Sequence, residues 1–273
     1  SNDNIRTLVD KGGAGLPRQQ VRDRLDTLRA QVGVGASEQG WSVSITTVRQ
    51  HLPEVVQLVG RLLRQPAFPA DALEEVRRQA LSALEQGRKE PGAVVADVLA
   101  RHGNLYPRGD LRHAPSFDER EQDLKAVTVA QLRDFHNRFL SAAHGQFSAV
   151  GDFDAAAVRE ALTAALGDWK QPAAGPAGYA RAPQPLTPVA PERFVMRTPD
   201  KQRANLQAQL ALPLNDLDAD HAAVLVGNFI LGGNPASRLW ARVREKEGLS
   251  YDVRSFIGWN PVDRNSTWTA TAI

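Results

Sequence analysis

The 273-residue sequence predicts an α+β fold, in which helices pack on a mixed, mainly antiparallel sheet. Apolar residues recur at helical spacing in several clustered stretches, and short segments of alternating polarity interrupt them without the regular alternation of a parallel α/β protein. A third observation divides the chain, because residues 171–191 hold six Pro, six Ala and one charged residue, Arg181. This composition is typical of an extended, semi-stiff linker. We therefore predict one domain over residues 1–175, a linker over 176–191 and the beginning of a second domain over 192–273.

In the first domain, the spacing of apolar residues predicts six helices and two strands. In order, they are a helix that follows Pro17, runs through Val32 and is ended by Gly33 and Gly35, a strand over 41–48, a helix from Pro53 to Pro66, a helix from Asp71 to about Arg88, a short helix after Pro91, a helix that Thr128 begins, a strand over 146–150 and a helix over 155–166. Thr-Val-Ala-Gln at Thr128 is a capping-box pattern. Residues 102–115, rich in Gly, Pro, Arg and His, are expected to form a loop.

In the second domain, the pattern predicts strands and helices in a similar mixture. We expect strands over 193–197 and 204–212, an apolar helix over 221–231, a helix from Asn234 to Gly248, and strands over 251–257 and 266–273. In the second of these helices Ala236, Leu239, Trp240 and Val243 are expected to face inward. Gly248 can take the left-handed conformation that ends a helix.

The composition excludes several classes of protein. The net charge of +2 gives no electrostatic footprint for nucleic acid, and no apolar run is long enough to span a membrane. The absence of cysteine excludes disulfides, cysteine-bound zinc, iron–sulfur clusters and a thiol nucleophile. It also slightly favours a bacterial periplasmic location, while a cytoplasmic location stays open. Of the 33 basic residues 27 are Arg, which is typical of a GC-rich coding sequence.

Common catalytic and metal-binding patterns are absent from the sequence. The six histidines include no His-Glu-x-x-His or His-x-x-Glu-His arrangement, and there is no Gly-x-Ser-x-Gly motif or Walker loop. His102 and His113 are better explained by ordinary loop polarity than by ligand binding. The loop leaves one alternative open, a binding module in which the basic residues of 101–113 hold an anionic ligand.

One long segment carries a specific resemblance. The run from Leu231 to Ser255, LGGNPASRLWARVREKEGLSYDVRS, resembles the glycine-loop and helix motif of the insulinase-like (pitrilysin) zinc metallopeptidases. Shorter pieces agree with that family's order and approximate spacing: Leu8-Val-Asp-Lys-Gly12, Leu28-Arg-Ala-Gln-Val32, Pro66-Ala-Phe68, Leu105-Tyr-Pro107 and Val150-Gly-Asp-Phe-Asp154. The resemblance covers nearly the whole chain. It implies two insulinase-type α+β domains, the first without its first strands and the second without its closing helices.

The resemblance also implies a division of labour between two homologous halves. In that family one half carries His-x-x-Glu-His and binds zinc, and the halves close around a peptide substrate. Aligning Lys11 with the family pattern places Asp3, Arg6 and Thr7 where the first His, the Glu and the second His belong. None of the three matches, and an Arg at the position of the general base would repel zinc. The chain is therefore identified as a fragment of the non-catalytic half, with no cofactor and no catalytic residue of its own.

The implied partner is the homologous zinc-bearing half, in the same chain or in a separate subunit, and the implied ligand is a peptide substrate. In the family the non-catalytic half supplies an Arg and a Tyr seven residues apart, and Arg244 and Tyr251 keep this spacing. We expect both side chains to bind substrate as its carbonyl gains negative charge. The alternative is a purely structural or assembly subunit of the same fold. In that case Arg244 would be only a helix C-terminal charge and Tyr251 a packed strand residue.

Overall fold

Contacts along the chain divide the protein into two units. The computed structural model describes residues 12–36, 40–170, 181–198 and 201–273. Unit 1 comprises Ser1–Ala80 and Leu124–Tyr179, and unit 2 comprises Leu81–Asp123 and Ala180–Ile273. Residues 81–123 thus group with the second part of the chain, whereas the sequence-based division kept them in the first domain. The linker and domain boundaries stay a prediction.

Unit 1 combines two antiparallel hairpins with helices, as expected for an α+β fold. Its elements are β1 (Gly12–Gly13), β2 (Leu16–Pro17), α1 (Arg18–Thr27), β3 (Gln31–Ala36), β4 (Trp41–Thr46), a 3₁₀ turn (Arg49–His51), α2 (Leu52–Arg64), the first half of α3 (Ala70–Lys89), α6 (Val129–Phe139) and α7 (Ala155–Leu166). β1 pairs with β2 and β3 with β4. The capping box predicted at Thr128 is present at the start of α6.

Helix α2 is the centre of the unit 1 core. Its sequence places apolar residues at helical spacing, and Val55 and Leu58 are almost completely buried. They form one cluster with Val21, Leu28, Val59 and Leu62. The other side of α2 lies against α7, where a Cβ added at Gly60 would stand 2.6 Å from the Cβ of Ala165. The glycine therefore lets the two helices approach closely.

Two sequence-based predictions in unit 1 are wrong. Helix α1 ends at Thr27 instead of continuing to Val32, because residues 31–36 pair with β4 and Arg29 turns the chain at φ +48°. Val32 nevertheless packs against the same core, which explains why the helical spacing continued to fit. Residues 146–150 do not form a strand within the described chain, and Val150 is fully exposed.

Unit 2 contains a three-stranded antiparallel sheet with helices beside it. Its elements are the second half of α3, α4 (Pro91–His102), α5 (Phe117–Ala126), β5 (Leu206–Leu212), α8 (His221–Leu231), a π-helix (Trp240–Lys246), β6 (Val253–Gly258) and β7 (Ser266–Ala272). The strand order is β5-β7-β6, so β7 lies in the middle. Helix α4 lies against β5 and α8 against β6. None of the described helices is long and apolar enough to span a bilayer.

Three predictions in unit 2 need correction. Helix α5 was not predicted, because its sequence is mostly polar and shows little apolar periodicity. Residues 193–197 are not a strand in the described chain, and Val195 is largely exposed. The helix predicted from Asn234 begins later, because the Asn234 side chain accepts a hydrogen bond from the Ala236 amide (2.7 Å) and holds a turn there. Ala236 is consequently exposed, whereas Leu239, Trp240 and Val243 are half-buried.

The described part of the predicted linker is attached to unit 2. Arg181 makes a bidentate ion pair with Asp263 (2.5 and 2.8 Å), and the Gln184 amide donates to the same carboxylate (2.8 Å). These contacts lower the pKa of Asp263 to about 2, chiefly through the hydrogen bonds from Arg181. Asn265 also donates to the Gln184 carbonyl (3.1 Å). Residues 181–184 are thus held against the turn between β6 and β7.

Candidate functional site

The segment that carries the sequence resemblance folds around the junction of α8, the π-helix and β6. The glycine pair after α8 permits this junction because backbone and side chains approach it closely. A Cβ at Gly232 would stand 2.4 Å from the Ser255 Oγ and 2.8 Å from Leu239 Cδ1. The Ser255 amide donates to the Gly232 carbonyl (2.8 Å), which ties β6 to the end of α8. Any side chain at position 232 would push these elements apart.

A network of hydrogen bonds from the Asn228 side chain in α8 holds the same junction together. The Asn228 Oδ1 accepts from the Ser255 hydroxyl (2.7 Å) and from the Trp268 indole (2.9 Å), and its Nδ2 donates to the Ser255 carbonyl (3.2 Å). Because one amide side chain joins a helix and two strands, its loss would leave the Ser255 hydroxyl and the Trp268 indole without this acceptor. The network sets the position of β6, and hence of the residues just before it.

The π-helix brings the chain back toward β6. Its Glu247 amide donates to the Arg242 carbonyl five residues earlier (3.1 Å), the bond that defines this wider helix. Gly248 then adopts φ +63°, so the predicted left-handed end of the helix is confirmed. The Tyr251 amide donates to the Ile273 carbonyl (3.2 Å), which fixes the backbone of Tyr251 to the end of the sheet.

Arg244 and Tyr251, the two residues singled out by the sequence, come together in the structure. The guanidinium carbon of Arg244 lies 4.6 Å from the centroid of the Tyr251 ring. It also lies 4.1 Å from the centroid of the Trp240 ring, so two aromatic rings contact one cation. Tyr251 is 80% exposed, which contradicts the alternative expectation of a packed strand residue. The sequence analysis assigned Trp240 only to the inner face of a helix and missed its contact with Arg244. The i,i+4 spacing of Trp and Arg was the signal available.

Arg244 differs from the other arginines that contact aromatic rings. Arg88, Arg112, Arg120 and Arg138 each lie near a ring, and each also has a carboxylate partner. Arg244 has no carboxylate within ion-pair distance among the residues that the structure describes. Its neighbour Arg242, on the same π-helix, pairs with Glu247 at 2.9 Å. The charge of Arg244 is therefore held by aromatic rings and is not neutralised by this part of the chain.

In the basic loop at 101–113, unlike at Arg244, the arginine side chains are paired with carboxylates. Arg101 pairs with Asp97 (3.0 Å), Arg108 with Asp123 (2.8 Å), and Arg112 with Asp110 (2.7 Å). The hydrogen bonds from Arg112 lower the pKa of the Asp110 carboxyl to about 2. Cations already occupied in this way are poor ligands for an external anion, so the structure gives no support to an anion-binding module.

His113 in this loop has a structural role. The ring of His113 bonds to the Tyr106 carbonyl (2.8 Å) and to Glu119 (3.1 Å), which raises the pKa of the imidazole. The amide of Ser116 and the ring of His113 in turn lower the pKa of Glu119 to about 2. These contacts join the loop to the first turn of α5.

No group of three or more His, Asp or Glu within the described ranges could hold a metal ion. Asp3, Arg6 and Thr7, which align with the zinc-binding positions, lie outside the described residues. An arginine and a threonine are unsuited to zinc, so the residue types at these positions do not fit the ion. We therefore derive no chemical step through a metal in this chain.

The fold and the sequence motif together define a class of protein. Residues 126–272, just over half of the chain, match the family described as the peptidase M16 inactive domain. The chain belongs to this family. The resemblance to the non-catalytic half of the insulinase-like zinc metallopeptidases is thereby confirmed, and so is the α+β fold class.

Individual proteins resemble the chain over most of its length. It is 28% identical over 261 residues to an uncharacterised zinc protease of Streptomyces coelicolor, covering 92% of this chain and 54% of that protein. It is 25% identical over 249 residues to the non-peptidase homologue YmxG of Helicobacter pylori, covering 90% and 55%. A peptidase M16 inactive domain from Pseudomonas fluorescens has a similar structure, with a TM-score of 0.70, 25% identity and coverage of 98% and 63%. The chain thus spans about half the length of the curated relatives it matches.

Proposed function

We propose that this chain is the non-catalytic half of a zinc metallopeptidase, which closes the chamber and binds the peptide that the zinc-bearing half hydrolyses. In this proposal Arg244 and Tyr251 hold the substrate. The observation that carries it is their convergence, with the guanidinium carbon 4.6 Å from the Tyr251 ring centroid and Tyr251 mostly exposed.

The chemistry of the two groups supports this role. A guanidinium and a phenol both donate hydrogen bonds, and neither side chain donates to another group within the described residues. A peptide carbonyl gains negative charge as it is attacked during hydrolysis, and fixed donors favour the charged form more than the neutral one. The pair would therefore contribute more to the transition state than to the binding of the unreacted peptide.

The partner and the compartment belong to the same proposal. Membership of an inactive-domain family supports pairing with a homologous zinc-bearing half, within one polypeptide or between subunits. Helix α8 carries exposed Leu225, Val226, Phe229 and Ile230, a surface that further protein would shield from water. We retain the bacterial periplasm as the proposed location and the cytoplasm as the alternative, to be decided by cell fractionation. We expect this chain alone to cleave nothing.

Substitution at Tyr251 and Arg244 tests the proposal in the native protein, purified with its zinc-bearing half. Tyr251→Phe removes one donor and keeps the ring, and Arg244→Ala removes the cation. Losing one such donor typically costs about 3 kcal/mol, so turnover of a fluorogenic peptide should fall about a hundredfold in each variant. Zinc content and circular dichroism should remain those of the wild type.

Arg242→Ala is the matched control. It removes the same charge from the same π-helix, but its guanidinium is already paired with Glu247. We expect its turnover to remain within about twofold of the wild type, as is usual for an exposed ion pair. Undiminished turnover in Tyr251→Phe and Arg244→Ala would instead favour the purely structural or assembly subunit. The Helicobacter pylori relative is named a non-peptidase homologue, which is why the structural subunit is retained as the second candidate function.

A further inference from the structure

The Arg244 guanidinium contacts two aromatic rings, and the seven-residue spacing of the motif indicates only one of them, that of Tyr251. The Arg244 guanidinium carbon lies 4.1 Å from the Trp240 ring centroid and 4.6 Å from the Tyr251 ring centroid. Both contacts are within cation–π range. Trp240 and Arg244 are half-buried, whereas Tyr251 is exposed. Trp240 therefore forms the inner, more shielded contact with the cation.

The Trp240–Arg244 contact joins residues four apart on the π-helix. Residues at this spacing are neighbours on a helix surface, so the ring and the guanidinium can meet without any other element. The amide of Glu247 makes the i→i+5 bond to the Arg242 carbonyl (3.1 Å), and the Leu249 amide reaches the Val243 carbonyl (3.0 Å). Both residues thus lie on one hydrogen-bonded helical segment, which keeps the Trp240 ring beside the guanidinium of Arg244.

The energetics favour a positioning role over simple packing. A free arginine side chain has about 2 kcal/mol of rotamer entropy to lose when it binds a ligand. Rings that contact the guanidinium restrict its motion beforehand, and they leave its hydrogen-bond donors without a carboxylate partner in the described chain. The four other ring-contacting arginines in the described residues are held by acids, which occupy part of their donors.

We propose that Trp240 is a positioning residue, which holds the Arg244 guanidinium in the orientation that binds the substrate carbonyl. This inference rests on the proposed function of Arg244. Trp240 itself does not touch the substrate and acts through the arginine. The effect of removing its ring therefore depends on the presence of Arg244.

A double-mutant cycle on turnover tests this dependence in the native protein with its zinc-bearing half. Trp240→Leu should lower kcat about tenfold, the size expected for loss of a partly shielded cation–π contact, while Trp240→Phe should restore most of it. In an Arg244→Ala background, Trp240→Leu should have no further effect. Trp259→Leu is the matched control, because Trp259 is also half-buried in unit 2 but contacts the His221 ring, and its kcat should be unchanged.

A measurement without substrate separates this inference from the proposed function. With ¹⁵N-labelled arginine, the Arg244 Nε–H resonance should show a ring-current shift that Trp240→Leu moves toward the free-arginine position and Trp240→Phe largely keeps. An unmoved resonance, or a Trp240→Leu effect on kcat that persists without Arg244, would overturn the positioning role alone. If Arg244→Ala itself leaves turnover unchanged, the proposed function fails, and the resonance still reports whether the ring holds the arginine.

Discussion

At the scale of single residues, the candidate site depends on positions where one atom decides the geometry. Gly232 is the clearest example, because β6 and Leu239 occupy the space that a side chain would need. Gly248 is another, since its φ of +63° is strained for any residue with a Cβ. These glycines shape the backbone of the segment that carries Arg244 and Tyr251.

Gly232→Ala is expected to destabilise unit 2 by about 1–3 kcal/mol, because the new methyl group overlaps Ser255 and Leu239. Urea unfolding followed by circular dichroism measures the change. Gly227→Ala is the matched control in the neighbouring helix α8, where a Cβ meets nothing within 4 Å. Alanine there should be neutral or stabilising by up to about 1 kcal/mol, as helix propensity predicts. Equal stability of the two variants would contradict the close approach at Gly232.

At the scale of elements, the sequence marks the start of a helix where side chains can accept hydrogen bonds from the free amides of its first turn. The Thr128 hydroxyl accepts from the Gln131 amide (3.3 Å), and the Gln131 side chain accepts from the Thr128 amide (2.9 Å), as the sequence predicted. A similar reciprocal pair links Ser116 and Glu119 at the start of α5. That second capping box was a readable signal for the helix that apolar periodicity failed to detect.

Thr128→Ala should destabilise unit 1 by about 1 kcal/mol, because it leaves the Gln131 amide in the first turn of α6 without its side-chain acceptor. Thermal or urea unfolding would show the difference. Thr163→Ala makes the same chemical change inside α7, where the hydroxyl only bonds back to the Arg159 carbonyl. Alanine is the better helix former there, so little or no loss is expected. A Thr128→Ala protein as stable as Thr163→Ala would show that the capping box contributes nothing.

At the scale of the whole molecule, unit 2 contains three carboxyl groups whose pKa values lie well below the usual range. The pKa values of Asp110, Glu119 and Asp263 are each lowered to about 2, by hydrogen bonds from Arg112, the Ser116 amide and Arg181 respectively. A carboxyl with a lower pKa in the folded state stabilises the fold above its unfolded pKa. This contribution is lost as the pH falls toward the folded pKa.

We therefore expect the stability of unit 2 to decrease as the pH falls from about 4.5 to about 2. With Trp41 and Trp169 replaced by Phe, the remaining tryptophans lie in unit 2, and their fluorescence reports its urea midpoint at each pH. Asp263→Asn should lower the midpoint at pH 7 and make the decrease in acid smaller. A midpoint that is the same at pH 5 and pH 2.5 would contradict the assignment.

The sequence by itself determined the α+β class, most helices and the strands of the unit 2 sheet, and it singled out Arg244 and Tyr251 as the pair now proposed to bind substrate. These features depend on local signals: apolar period, caps, a terminating glycine and a specific motif. The tertiary structure decided what depends on pairing between distant segments. Residues 31–36 became a strand because β4 supplies their hydrogen bonds, and residues 146–150 did not become one because no strand of the described chain pairs with them. The two rings around the Arg244 guanidinium also needed the tertiary structure: residue spacing places Trp240 and Arg244 on one helix face, but Tyr251 reaches the cation only because the chain turns back at Gly248 toward β6.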